Sequence, residues 1–375
     1  MVYNESKYNK NWKTMKLSDL GEFARGKSTH RPRNDKNLFE SGGYPLVQTG
    51  EIKEANLYIT HHTQEYGEFG LQQSKLWDAE TLCITIAANI AETALLAYPM
   101  CFPDSVVGFK AYKEVSSEKF MYYVFDFIRN SIQNAASGST QDNINIDYLT
   151  SLDFKVPDKI AQDKMVELLS AIDEKILMNS KINDNLASMA YDIYMHTFFS
   201  KKPNGKLKDI LIEADKSSVQ VGEAKQSTGE YPFFTSGSAI LKWDIPFING
   251  RNCFLNTGGN ADVKFYVGEA AYSTDTWCIS TNNNMSDYLY LLLVSIKPEL
   301  NQKFFQGTGL KHLQKPLLKD RPIYIPDFEK LKTFNEQVNP MFNIISENTR
   351  ENQALITLRD WLLPMLMNGQ ATISD

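Results

Sequence analysis

The sequence lacks cysteines in any metal or redox spacing. Its four, Cys83, Cys101, Cys253 and Cys278, stand far apart with no C-x-x-C pair. That argues against a disulfide framework or zinc ribbon and for reduced thiols in a reducing compartment. Long apolar runs are missing too, since nothing approaches the roughly 18 residues of a membrane span. The opening MVYNESKYNKNWK has no apolar core of the kind a signal peptide needs. A cytoplasmic chain outside the membrane is the expectation. Catalytic signatures are equally scarce. No G-x-S-x-G nucleophile elbow is present, and no N/D-P-P-Y/F segment of the adenine-methylase type. His61-His62 beside Glu65 lacks the spaced cysteines or carboxylates of a metal site, so a polar loop without metal is expected there.

What is present is material for cores. The chain has 375 residues, enough for two or three domains. With 42% hydrophobic and 12% aromatic residues it can bury them. The formal net charge is −6, against nucleic-acid binding only if charge is counted over the whole molecule; phosphate contacts require only a local cationic face. Two stretches could supply one. The first holds Lys7, Lys10, Lys13, Lys16, Arg25, Lys27, Arg31, Arg33 and Lys36; the second holds Lys303, Lys311, Lys315, Lys319 and Arg321.

Internal self-similarity carries most of the argument. Residues 138–158 read GSTQDNINIDYLTSLDFKVPD and residues 307–327 read GTGLKHLQKPLLKDRPIYIPD, at an offset of 307 − 138 = 169. Lys16-Leu17-Ser18-Asp19-Leu20 returns as Lys206-Leu207-Lys208-Asp209-Ile210, an offset of 190. Tyr44-Pro45 and Gly50 return as Tyr231-Pro232 and Gly237, an offset of 187. The second copy is therefore shorter by 18 residues (187 − 169) between Gly237 and Gly307, and by 21 (190 − 169) counted from Lys206. One block occurs twice, with a shared frame and a variable interior.

Each block opens with short apolar runs such as Thr81–Ala88 and Val263–Val267, which predict strands, and with helical stretches around Phe120–Arg129 and Tyr288–Ser295. Each block closes on a coiled-coil seam. Met165, Leu169, Ile172, Ile176, Asn179, Asn183, Leu186, Ala190 and Ile193 step by fours and threes. Adding 169 gives Phe334, Val338, Met341, Ile345, Asn348, Asn352, Leu355, Arg359 and Leu362. Two such helices can cover their stripes by packing antiparallel, with Asn179 and Asn183 facing Asn348 and Asn352 and fixing the register. Pro340 stands where the first helix has Ala171, so the second helix is expected to kink or start late.

One motif points elsewhere. Gly21-Glu22-Phe23-Ala24-Arg25-Gly26-Lys27-Ser28 fits the P-loop pattern letter for letter. A true P-loop follows a buried strand and opens a helix whose N-terminus faces phosphate. Met15–Leu20 is a mixed polar segment, Pro32 follows closely, and the second block has neither glycine over Ile210–Ser217. A structural role is expected.

The layout of variable domain, helix, variable domain, helix resembles the specificity subunits of type I restriction-modification systems across the whole chain. The motifs that carry this are K-L-x-D-[LI] near each domain start, Y-P followed by Gly, and G-[ST] leading to [IV]-P-D before the helix. Leu358–Gly369 also looks like the family's closing helix, and Gln162 stands where the family often has Gln, although its counterpart is Leu331 (162 + 169). The resemblance implies an α+β chain of two tandem α/β target-recognition domains separated by two long helices in an antiparallel coiled coil. The division would be 1–158, 159–199, 200–327 and 328–375. It further implies a non-catalytic chain that recognises a bipartite, asymmetric site in double-stranded DNA. Partners would be two methyltransferase subunits that modify adenine, and restriction subunits. S-adenosylmethionine, ATP and Mg would be used by those partners, with no cofactor in this chain.

Base edges call for Arg, Lys, Asn and Gln on projecting loops. Those picked by residue type and loop context are Arg31, Arg33, Gln72, Gln73, Lys75, Gln141 and Asn143 in the first domain. In the second they are Lys225, Gln226, Asn256, Asn260, Lys264 and Lys311. Two other readings stay open: a P-loop NTPase through Gly21–Ser28, and a coiled-coil scaffold with carbohydrate- or protein-binding domains.

Overall fold

The structure, a computed structural model, describes residues 2–137 and 144–373. The chain divides into two compact units, Met1–Leu177 with Ala354–Asp375, and Met178–Gln353. Each takes a stretch of both long helices, Lys159–Tyr194 and Phe328–Met367.

The first unit is built on a five-stranded sheet in the order Gly21–Arg25, Val106–Ala111, Leu82–Thr85, Thr93–Leu96, Tyr58–Ile59. Its strands are antiparallel except for the last pair. A second sheet runs Gln64–Tyr66, Tyr44–Leu46, Met100–Cys101, Leu76–Trp77. The strand Leu82–Thr85 shows why these runs are apolar throughout. Leu82 and Ile84 enter one core with Phe109, Phe120 and Phe125, while Cys83 enters another with Trp77 and Phe102. Successive side chains point to opposite faces, and both faces are covered. Helix Glu118–Ser137 supplies Phe120, Val124 and Ile128 to the first core.

The second unit repeats the order. Leu211–Glu213, Thr276–Thr281, Arg251–Asn256 and Val263–Val267 form its main sheet, and Ile240–Trp243, Tyr231–Phe234 and Ala271–Tyr272 its second. The alternation recurs, with Cys253 and Leu255 on one core and Phe254 on another. The missing residues can be placed more narrowly than the motifs allowed. Tyr44 matches Tyr231 (offset 187) and Thr85 matches Asn256 (offset 171), so 16 residues are lost between those strands. In the first unit that interval holds Thr49–Glu54, Tyr58–Ile59 and Glu68–Gln72; in the second it holds Ile240–Trp243 and no helix is assigned between the strands.

The helices run antiparallel in each unit. In the second unit Asn179 Nδ2 donates to Asn352 Oδ1 at 2.9 Å, and Asn348 Nδ2 donates to Asn183 Oδ1 at 2.8 Å. Each pair joins one asparagine to the repeat equivalent of the other, as an isologous pairing requires. In the first unit Arg359 Nη1 reaches the buried Asp173 at 2.9 Å, and Tyr123 Oη donates to the same carboxylate at 2.7 Å. Leu169, Ile172, Ile176, Asn179 and Val338 are buried, and Asn183, Leu186, Met341, Ile345, Asn348, Asn352 and Leu355 half-buried. The second helix does not start late at Pro340. It starts twelve residues earlier, at Phe328, and stays helical through the proline. Pro340 and Glu336, whose carbonyl loses its donor there, are both exposed, so water can satisfy that group.

Among the described residues no helix is long and apolar enough to cross a membrane.

Candidate nucleic-acid interface

Both units gather loops at the same end of the main sheet through the same backbone bonds. Leu313 N donates to Thr257 O at 2.9 Å, and Ile144 N to Ile86 O at 3.0 Å, with 144 + 169 = 313. Thr257 N bonds Asp275 O and Ile86 N bonds Ser105 O, each at 3.0 Å. Within each loop a side chain closes the turn four residues on: Asn256 Nδ2 to Asn260 O at 2.6 Å, and Thr85 Oγ1 to Asn89 O. These bonds carry Asn260 and Asn89 to exposed tips.

In the second unit Asn260 and Lys311 come together, because Gly259 N donates to Lys311 O at 2.9 Å while both side chains stay exposed. Lys225 and Gln226 are exposed just after the short helix Val221–Ala224. Asn256 and Lys264 turn inward. The Asn256 amide donates to Gly258 O and Asn260 O and accepts from Asp262 N at 2.7 Å, so it builds the loop. Lys264 donates to Thr235 O at 3.0 Å and pairs with Asp262 at 3.2 Å.

In the first unit the segment after Gly26 is stitched to the Gln72–Lys75 turn. Thr29 Oγ1 donates to Gln73 Oε1 at 2.7 Å, and Ser74 Oγ to Lys27 O at 2.9 Å. Arg33 pairs with Asp104 at 2.6 Å and Arg31 stands 3.7 Å from it. Both guanidiniums remain exposed, as does Gln72. Lys75 lies 3.6 Å from the centre of the Trp77 ring. Gln141 and Asn143 lie outside the described residues.

Asn89 was missed, although the sequence held a signal for it. Ala87-Ala88-Asn89 and Gly258-Gly259-Asn260 align at an offset of 171. Gly259 has φ +85°, and Ala88 adopts the same left-handed region at +46°. For alanine this costs on the order of 1 kcal/mol, and strain retained in an exposed loop is a mark of functional sites. Lys53 Nζ donates to the Asn89 amide oxygen at 3.2 Å.

The P-loop-like segment has a different geometry from a phosphate cradle. Gly21–Arg25 is a strand, paired antiparallel with Val107–Ala111, and Gly26 N continues the ladder to Val106 O at 2.8 Å. Its glycines serve close packing, since a Cβ on Gly21 would stand 2.3 Å from Lys110 O, and one on Gly26 would stand 2.3 Å from Pro103 O. Gly26→Ala should therefore destabilise the protein by about 1–3 kcal/mol, whereas Lys27→Ala should leave the urea midpoint in place. Equal midpoints for Gly26→Ala and wild type would contradict this packing.

His62 Nδ1 meets Tyr98 Oη at 2.6 Å and Nε2 meets Glu65 at 3.0 Å. Hydrogen bonding to His62 and to Gly43 N holds the Glu65 carboxyl below its ordinary pKa. Both ring nitrogens are engaged, and among the described residues no group of three or more His, Cys, Asp or Glu is placed to hold a metal.

Two blocks of one topology, joined by paired helices and ending in polar loops, define a class. The family model described as type I restriction modification DNA specificity domain matches residues 9–188 and again 200–355. The chain belongs to that family, as a type I restriction-modification specificity protein that recognises DNA sequence. The type I restriction enzyme MjaIX specificity subunit of Methanocaldococcus jannaschii is 21% identical, over 98% of this chain and 95% of its own length. The type I restriction enzyme HindI specificity subunit of Haemophilus influenzae is 32% identical, over 64% of this chain and 73% of its own length. A crystal structure of a type I restriction-modification system S subunit from M. genitalium shares the fold. Its TM-score is 0.64 at 15% identity, covering 98% of this chain and 99% of that one.

Proposed function

We propose that each unit reads one half of a bipartite DNA site, and that the helix pair sets the gap between the halves. The observation that carries this is the repeated loop end. The same backbone bonds hold it in both units and an asparagine stands at each tip, Asn89 and Asn260, while the other exposed side chains differ: Arg31, Arg33, Gln72 and Lys75 in one, Lys225, Gln226 and Lys311 in the other. One scaffold with two sets of polar contacts suits two different half-sites, hence an asymmetric site. Two such modules also multiply specificity, because each mismatch costs about 1–3 kcal/mol and the costs add for separated positions.

In this reading the chain is not an enzyme. It would direct two methyltransferase subunits and, where they are made, restriction subunits. S-adenosylmethionine, ATP and Mg would be consumed by those partners, and methylation would need the target adenine flipped out of the duplex into the methyltransferase.

The test is a module exchange. Replacing residues 1–158 with the corresponding part of a related subunit, and expressing the hybrid with its methyltransferase, should change one half of the methylated motif and leave the other intact. Both halves changing together in methylome sequencing would exclude two independent readers.

A further inference from the structure

Three of the five cations in the basic stretch Lys303–Arg321 are neutralised by the fold, leaving the exposed Lys311 at the loop tip and Lys315. Lys303 and Arg321 both pair with Glu299, at 3.1 and 2.8 Å, and Lys319 pairs with Glu213. Among the described residues Lys315 has no carboxylate within ion-pair distance. Its ammonium lies 5.0 Å from the centre of the Trp277 ring, and that of Lys319 lies 6.0 Å from the same ring. Trp277 is buried and donates its indole N–H to Glu213 at 2.8 Å. Burial lowers the pKa of Lys315 from its ordinary value. The positive charges of Lys319 and Lys216 act the same way, against the opposing pull of Glu213. Lys315 and Lys319 thus share the Glu213 carboxylate, and Lys216 adds a third positive charge near Lys315.

The first unit shows that the frame has no need of this charge. Ile146 occupies the place of Lys315 (146 + 169 = 315). The strand registers match Gly21 with Leu211 and Ala111 with Thr281, which puts Phe23 and Val107 where the second unit has Glu213 and Trp277. Phe23, Val107 and Ile146 pack together in the apolar core of their unit. Putting Lys315 in the place of Ile146 half-buries an ammonium near two others, which costs stability, so the charge answers to something outside the chain.

We propose that Lys315, supported by Lys216 and Lys319, anchors a phosphate of the DNA backbone at the loop end of the second unit. This rests on the DNA-reading function of the chain and adds a positioning contact to it. A phosphate brings the negative charge that the three lysines lack, and the aromatic face beside them favours a retained cation. The place is right, because Leu313, two residues before Lys315, is bonded to Thr257 beside the Asn260 tip, and Val219 O, near Lys216, accepts from Thr274 N. Backbone contacts fix register without carrying sequence.

The experiment compares the full-length chain with Lys315→Gln and Lys315→Arg on long mixed-sequence duplexes, titrated at several salt concentrations. Each neutralised phosphate contributes about 0.9 to the slope of log affinity against log salt. Lys315→Gln should lower that slope by about one, bind several-fold more weakly at low salt, and do so equally on duplexes of different sequence. Lys315→Arg should keep the slope, and Lys315→Gln should melt no lower than wild type, because a repulsion has been removed. An unchanged slope overturns the anchor, and so does a lowered melting temperature in Lys315→Gln. A loss confined to one sequence overturns it in favour of base reading. A wild-type chain that binds no duplex overturns the DNA-reading function itself, which is a separate failure.

Discussion

Lengthening both long helices by four residues, after Lys181 in the first and after Arg350 in the second, should widen the gap in the DNA site by one or two base pairs. The half-site sequences should stay as they are. Both helices must be changed because Asn179 pairs with Asn352 and Asn183 with Asn348. An insertion in one helix alone would keep one pair and strand the other. Four residues add about 6 Å of helix, and duplex DNA rises about 3.4 Å per base pair. A helix parallel to the duplex would add nearly two base pairs, and tilt reduces this towards one. Four-residue insertions are stutters, which coiled coils absorb by local unwinding. Methylome sequencing of the lengthened chain with its methyltransferase checks the outcome. An active variant whose spacer is unchanged would show that these helices do not measure the distance.

The largest expected loss of stability follows from Arg251→Ala. Arg251 forms a two-pronged pair with Asp287, both N–O distances being 2.5 Å, and also donates to Asn343 Oδ1 at 2.7 Å and Asn339 O at 3.2 Å on the second long helix. Asp287 is fully buried. Removing the guanidinium leaves an uncompensated buried carboxylate and should cost about 3–5 kcal/mol, read as a shift of the urea midpoint. Replacing both partners with apolar residues, as in Arg251→Met with Asp287→Leu, should restore most of it. The pH dependence has a definite sign. Burial already raises the Asp287 pKa, against the pull of Arg251, and loss of Arg251 raises it further. Between the unfolded and the raised folded value the native state binds more protons, so its stability increases as pH falls. The deficit of Arg251→Ala should therefore be greatest near neutrality and shrink in acid. A deficit independent of pH would mean that Asp287 is not the group left stranded.

The helices and the repeat were legible because both are periodic. A seam that keeps its step over nine positions in two copies has few competing explanations, and the paired asparagines could be matched by arithmetic alone. Loop side chains have no such period. Asn256 and Asn260 have the same hydrogen-bonding groups, and only the fold shows that one closes the turn while the other stands at its tip. Likewise Lys264 and Lys311 are equal in sequence, yet Asp262 and Thr235 hold the first inward. Asn89 was hidden because its loop uses alanines where the second copy uses glycines. The odd detail at Leu331 also resolves. Gln162 Nε2 donates to Val115 O and Pro157 O, both at 3.0 Å. Leucine cannot do this, and Asn335, one turn later, donates instead to Asn284 O at 2.8 Å, the equivalent of Val115 (115 + 169 = 284). The frame kept the bond and moved the residue.

The buried cysteines have a practical consequence. Cys83, Cys101, Cys253 and Cys278 are all enclosed, and burial pushes every one of their thiols up, Cys278 to about 12. At neutral pH a maleimide finds almost no native thiolate to attack. One cysteine introduced at exposed Glu114 and another at exposed Lys202, both apart from the candidate DNA contacts, would then be the efficient attachment points. A donor and an acceptor dye placed there on the otherwise natural sequence would let energy transfer follow, molecule by molecule, whether the two readers shift when a duplex arrives.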